Sequence, residues 1–300
     1  MKCLLVLFLA GAAAAQNSGP PQVLRIIRQT IKPGAGAEHE KVGAGVARGV
    51  ARAKYPANFI ALSSMSGELE TWIVESHDSF ASVEAASTFV ESTPAVKWWL
   101  GQFEAQSGPS ITQVRRLLAV YRPDLSYRGD QLALDLPKMR YMSVVMVRLL
   151  PARDSEFGEA VRLVKAAYEK SGSDQPLVVY QVVSGAPGPS YVFFSPMVSL
   201  KTMDDAPTRG KAMREALGED NAAKTVKTSA EVTAASESFL FALNPRLSYV
   251  SKEFAAADPD FWTPKPPPKP PTLPGAVPPG SAPGAPAPAN PGAAPSAPHP

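Results

Sequence analysis

Three kinds of side chain in this sequence could do chemistry: two histidines in the body of the chain, two arginines on strands, and a set of large aromatics. His39 stands among Glu38, Glu40 and Lys41, a setting that reads as solvated helix surface. His77, followed by Asp78, comes directly after a strand, where a titrating base or a ligand-binding loop residue is often placed. No HxH, HxxxH or HxxE spacing accompanies either histidine, so no metal site is indicated, and a plain loop histidine is the simpler reading of His77. The only cysteine is Cys3, inside a leader-like segment, which excludes thiol catalysis and cysteine-bound metal in the body.

The arginines are placed by alternation. Val145, Val147 and Leu149 share one face of a strand, and Met142, Val144, Met146 and Arg148 share the other. If the aliphatic face packs on helices, Arg148 points inward, and so does Arg28, two residues from the equivalent position in the first half and therefore on the same face. A buried guanidinium then needs a carboxylate, with Glu70 and Glu75 at hand, or an anionic ligand. Trp72 and Tyr191 read as equivalent third-strand residues, and Tyr180 lies on a second strand. Trp98 and Trp99 are neighbours on a helix, about 100° apart, so they cannot both face one core. The candidate ligand-binding residues are therefore Arg28, Trp72, His77, Arg148, Tyr180 and Tyr191, and none is assigned a catalytic role. No cofactor is indicated. Gly34-Ala35-Gly36 lacks the third glycine and the later acidic residue of a dinucleotide site, and there is no Walker loop or Gly-x-Ser-x-Gly.

These residues must be held by a packed body, and the composition supports one: 45% of the 300 residues are hydrophobic and 19% charged. The net charge of +3 comes from Lys2, Lys265 and Lys269, outside the body, which leaves no basic footprint for nucleic acid. Residues 1-15 combine Lys2, a short apolar run and an Ala13-x-Ala15 ending. This is the layout of a signal peptide, too short to span a membrane, and the chain is expected to be secreted or periplasmic. At the other end, residues 263-300 hold 16 of the 32 prolines. With little to bury, they read as a disordered Pro/Ala/Gly-rich tail, a spacer with envelope contact as its candidate role.

Between the ends the sequence echoes itself. Pro123-Asp-Leu-Ser-Tyr127 returns as Pro245-Arg-Leu-Ser-Tyr249, and Ser66-Gly67 as Ser184-Gly185. Trp72 to Ser76 resembles Tyr191 to Ser195, and Ile31-Lys-Pro33 resembles Leu149-Leu-Pro151. Landmarks in one order at shifts of about 120 indicate a tandem duplication, residues 22-128 and 140-250. Each copy predicts strand, helix, hairpin, helix, strand. In the first these are Val23 to Lys32, Glu38 to Lys54, Phe59 to Met65 with Leu69 to Glu75, Ala95 to Gln106 after the Thr93-Pro94 start, and Arg116 to Tyr121. In the second they are Tyr141 to Leu150, a helix through Phe157, Val161, Val164 and Tyr168, Leu177 to Val183 with Tyr191 to Phe194, Lys211 to Thr233, and Ser238 to Leu243.

The order βαββαβ is the ferredoxin-like split motif, a sheet with helices on one face. These strands are too apolar to leave the other face wet, so two such α+β repeats are expected to pack their antiparallel sheets as one intrachain α/β barrel. In this order and strand character, residues 22-250 resemble the dimeric α/β-barrel superfamily, which includes antibiotic-biosynthesis-type and haem-degrading monooxygenases and NIPSNAP-like proteins. The resemblance implies a small apolar or aromatic ligand, or haem, between sheet and helices. Its haem-degrading branch is marked by a first-strand asparagine, a third-strand tryptophan and a second-helix histidine. Only Trp72 matches: the first strand carries Arg25, Arg28 and Gln29, and no histidine lies between Ser79 and Ala297.

Three functions follow as expectations: binding of a small apolar or anionic ligand in the barrel interior or a helix-lined cleft, a cofactor-independent monooxygenase of the antibiotic-biosynthesis type, and a cell-envelope interaction module. A cavity beside Trp72 and Arg148 would favour the first two, and a packed interior the third. Removal of residues 263-300 is expected to leave the thermal unfolding midpoint unchanged; a clear drop in calorimetry would show that the tail packs on the body.

Overall fold

A computed structural model of the chain describes residues 19–263. The leader reading of residues 1-15 and the proline-rich tail beyond Thr263 lie outside them. The first half runs β1 (Val23–Ile31), α1 (Gly36–Arg52), β2 (Phe59–Ser64), β3 (Glu70–His77), α2 (Phe80–Ser92), α3 (Pro94–Ser107) and β4 (Ile111–Tyr121). A short α4 (Gly129–Asp135) leads into β5 (Tyr141–Leu149), α5 (Asp154–Ser171), β6 (Val178–Ser184) and β7 (Ser190–Met197). Then come α6 (Lys201–Asp204), α7 (Ala206–Leu217), α8 (Glu219–Val232), β8 (Thr233–Tyr249), α9 (Lys252–Ala256) and α10 (Pro259–Trp262).

All eight strands pair antiparallel and close one barrel in the order β1-β3-β2-β8-β5-β7-β6-β4, with β4 returning to β1. Within each half the order is fourth, first, third, second, as the ferredoxin-like motif requires. The halves meet at two seams, β2 with β8 and β4 with β6. Closure is the physical consequence of apolar strands: a lone half-sheet would expose one greasy face and two unpaired edges, and the partner half covers both.

The barrel interior is packed solid. Ile26, Leu62, Trp72, Val144, Val192 and Phe241 all lie inside with at most 2% of their surface exposed. One end is plugged by α4, α9 and α10, where the Trp262 indole donates to the Pro137 carbonyl at 2.7 Å. Outside, α1 and α3 cover the first half and α5, α7 and α8 the second. The α1–α3 approach depends on Gly49, since a Cβ there would lie 2.6 Å from the Trp99 ring. At Gly45, one turn earlier on α1, a Cβ would meet nothing within 4 Å.

Several boundaries differ from expectation. The helix predicted from Lys211 to Thr233 is two, α7 and α8, broken at Gly218, whose φ of +81° suits glycine and few others. Two strands begin five residues early, at Ile111 and Thr233, through mostly exposed residues held by pairing to β1 and β5 rather than by burial. Helix α2, opened by a Ser79/Ser82 capping box, was not expected.

Candidate functional site

The space that could hold a ligand lies outside the barrel, between the outer face of the first half-sheet and its helices. It is a cleft of about 910 Å³. Ile27 and Ile73 form its floor, Val46 and Val50 of α1 one wall, and Leu100 and Phe103 of α3 another. In the second half the equivalent place is taken up by Phe157, which packs on Tyr191 and Phe193 with ring centroids 4.8 and 6.1 Å apart. Register explains the difference. Ile73 matches Phe193 and Thr71 matches Tyr191, so the first half carries the smaller residue at both outward positions. Trp72 then matches Val192 and not Tyr191. Trp72 faces inward and Tyr191 outward, and a slip of one residue exchanges faces. The small second-half cleft beside Tyr191 is polar, lined by Arg122, Asp154, Arg162 and Gln181.

The floor of the first-half cleft ends in a polar network. Arg25 donates through Nη2 to both Glu75 oxygens at 2.8 and 2.9 Å and to the Tyr55 hydroxyl at 2.7 Å, and through Nη1 to Ser87 Oγ at 3.1 Å. The Tyr55 hydroxyl donates to Glu75 Oε1 at 3.1 Å. Behind Glu75, His77 Nε2 lies 2.6 Å from the same oxygen. Burial alone would raise the Glu75 carboxyl. The His77 hydrogen bond and the Arg25 guanidinium outweigh it and hold the group below its ordinary value. Burial and the Glu75 charge push the Tyr55 phenol up. The grouping Glu75, His77, Ser82 looks like a nucleophile relay but does not work as one. Ser82 Oγ is 3.4 Å from His77 Nδ1, donates to the Ser79 carbonyl at 2.8 Å and accepts from the Ser79 amide at 3.2 Å, so the hydroxyl is engaged as a helix cap.

His39 corrects the expectation of a solvated surface residue. Glu38, Glu40 and Lys41 point outward, whereas His39 turns inward, 2% exposed, with its ring edge-on to Phe103 at 5.6 Å. It lines the cleft, its Nδ1 is buried without a partner, and burial lowers its pKa, so the imidazole is neutral at pH 7.

Of the six candidates, Arg28 and Trp72 come together, inside the barrel. The Arg28 guanidinium lies 4.5 Å from the Trp72 ring and 4.9 Å from the Phe239 ring. It donates to both Glu70 oxygens at 3.2 and 3.3 Å and to Glu237 at 3.3 Å. Its partner is thus a protein carboxylate, one of the two options the sequence left open. Tyr180 also faces inward and donates to the Pro21 carbonyl at 2.9 Å. Arg148 is exposed at a barrel end, and Tyr191 donates to Asp154 at 3.0 Å on the outside of the second half. His77 is a buried strand-end residue, not a loop histidine. The space beside Trp72 is packed, which goes against a ligand inside the barrel and leaves the helix-lined cleft, across the sheet from Trp72, as the place for one. Arg25, Gln29, Tyr55, Thr71 and Glu75 were not among the candidates; outward alternation of Arg25, Ile27 and Gln29 along β1 was the available signal.

The sequence matches no family model and no curated protein. Several solved structures are similar in three dimensions. A protein assigned as a monooxygenase from Fusobacterium nucleatum is 10% identical, with 75% of this chain and 93% of that one covered and a TM-score of 0.49. An anthrone oxidase-like protein is 10% identical, with 77% and 95% covered and a TM-score of 0.46. A mutant chlorite dismutase from Candidatus Nitrospira defluvii is 12% identical, with 76% and 92% covered and a TM-score of 0.42. At these values the barrel's own strand order carries the fold assignment. Among the described residues, no helix is long and apolar enough to cross a membrane, and no group of three or more His, Cys, Asp and Glu side chains is placed to hold a metal.

Proposed function

We propose that this protein binds a small, largely apolar molecule in the cleft between the first half-sheet and α1 and α3. One observation carries the reading. An apolar space of about 910 Å³ is bordered by a few fixed polar groups, beside a barrel whose inward side chains are buried against one another. We place its work outside the cytoplasm, on the leader reading of residues 1-15, and regard the two halves as products of one duplication, on their matching landmarks and strand order. The test is to fill the space. Val46 is a half-buried wall residue, and Val46→Trp is expected to lower affinity for the neutral fluorophore N-phenyl-1-naphthylamine at least tenfold, with destabilisation of about 1–3 kcal/mol from overpacking. Unchanged fluorophore affinity in a folded variant would remove the cleft as the site.

His39 favours a second reading, cofactor-independent oxidation. A neutral imidazole in an apolar wall can take a proton from an acidic hydroxyl or activated C–H of the ligand. The resulting electron-rich anion could react with O₂, one oxygen atom entering the substrate and the other leaving as water, with the substrate supplying the electrons. Oxygen uptake with an electron-rich quinol, lost in His39→Leu, is the expected result of this reading. No uptake across such substrates would leave binding alone.

A further inference from the structure

The polar groups of the cleft are not clustered at one place. Helix α1 starts over Leu69, next to the strand position where Thr30 faces Glu70, since Gly36 sits against the Leu69 side chain. The chain leaving α1 brings Tyr55 to Arg25 and Glu75 at the opposite end of the same strands. His39, one turn into α1, therefore lies towards the end marked by Gln29 and Thr71, two buried residues that face each other in register and line the cleft. Between the two ends the floor is Ile27 and Ile73 and the α1 wall is Val46 and Val50, with the exposed Arg116, opposite Ile27 on β4, at the rim. Arg25 and Gln29 are four residues apart on β1, which at about 3.3 Å per residue sets the polar ends roughly 13 Å apart.

Each end offers hydrogen bonding that the protein does not use. At one end the Arg25 Nε is buried without an acceptor; at the other the His39 Nδ1 is buried without a partner. Neither end offers surplus charge. The Arg25 guanidinium is matched by Glu75; on the exposed rim Glu91 pairs with Lys97 at 2.7 Å, and Glu104 and Arg116 stand one against one. An anion drawn into the cleft would find no buried cation left without a counter-charge, and would leave Arg116 at the solvent-exposed rim.

We infer that the cleft selects a neutral, elongated molecule: an apolar body about ten carbons long with one oxygen function at each end, of the diol or hydroxy-ketone class. This rests on the cleft being the binding site. Calorimetric titration of the full chain with 1-decanol, 1,10-decanediol, 1,6-hexanediol and decanedioate tests it. The ten-carbon diol is expected to bind about five- to tenfold more tightly than the mono-alcohol, the worth of one added hydrogen bond, and more tightly than the short diol or the dianion. His39→Leu should bring the diol down to the level of 1-decanol, while His39→Gln, which keeps a polar group, should retain most of the preference. The wild-type comparisons stand by themselves if the leucine variant does not fold. Equal binding of mono-alcohol and diol, a preference for decanedioate, or binding of the fluorophore but of none of these compounds would overturn the two-ended assignment and leave the cleft in place. No binding of any of them or of the fluorophore would overturn both.

Discussion

Glu75→Gln is expected to destabilise the protein by about 3 kcal/mol, lowering the melting temperature by roughly 6–12 °C for a body of this size. The side chain is 5% exposed and accepts from Arg25 and Tyr55, with His77 against the same oxygen. The amide removes the negative charge and leaves the Arg25 guanidinium, 22% exposed, without its counter-ion and the buried His77 ring without its carboxylate partner. The lower end of the usual range for a broken buried pair applies because Arg25 retains some solvent. The pH dependence separates charge from shape. The folded protein holds the Glu75 carboxyl below its ordinary value of 4.5. Its contribution is thus fully present above that value and is lost as pH falls through the lower, folded-state value. The difference in melting temperature between wild type and Glu75→Gln should therefore be widest near neutrality and narrow as the solution is taken below pH 4.5. A gap that stays constant over that range would show that the network acts by packing alone.

The same network shows how far the amino-acid pattern could be read. Long apolar strands were legible because both faces of β5 and β7 are covered, and burial leaves a strong signal in residue type. Tyr141–Leu149 is found within one residue of the strand that its β-branched content and the following Pro151 predicted, Tyr141 to Leu150. The inward turn of Arg28 also followed from alternation, once the aliphatic face was assigned to the helices. His39 was not legible, because three charged neighbours dominate its local composition. A helix turns successive residues by about 100°, so one buried residue can sit among exposed ones. The starts of β4 and β8 were hidden for another reason. Thr112 to Arg116 and Ala234 to Glu237 are exposed, and partner strands hold them by backbone pairing, which residue type does not record. The cleft itself results from residues that are small on one half and large on the other, Thr71 and Ile73 against Tyr191 and Phe193. That contrast becomes visible once the register of both hairpins is known, because a one-residue error in matching Trp72 to Tyr191 conceals it.

If the barrel interior is structural and the cleft is the site, then a change inside should affect stability without touching affinity. Trp72 gives the sharpest case. It is fully buried against Phe239 and Phe241, with centroids 5.2 Å away in both cases, and its indole donates to Glu70 Oε2 at 2.6 Å. Trp72→Ala removes a large packed ring, the face over which Arg28 lies and one hydrogen bond to a buried carboxylate. About 3–5 kcal/mol is expected, enough to cost roughly 6–20 °C in melting temperature. Trp72→Phe keeps most of the volume and an aromatic face, and takes away the indole donor. Glu70 retains Arg28, so the loss should be nearer 1–2 kcal/mol. Because Thr71 and Ile73, on either side of Trp72 along β3, point into the cleft while Trp72 points away, N-phenyl-1-naphthylamine affinity of the folded Trp72→Phe protein should stay within about twofold of wild type. A tenfold loss of affinity in that variant, with the fold intact by circular dichroism, would mean that the ligand reaches the barrel interior and that the cleft is at most its entrance.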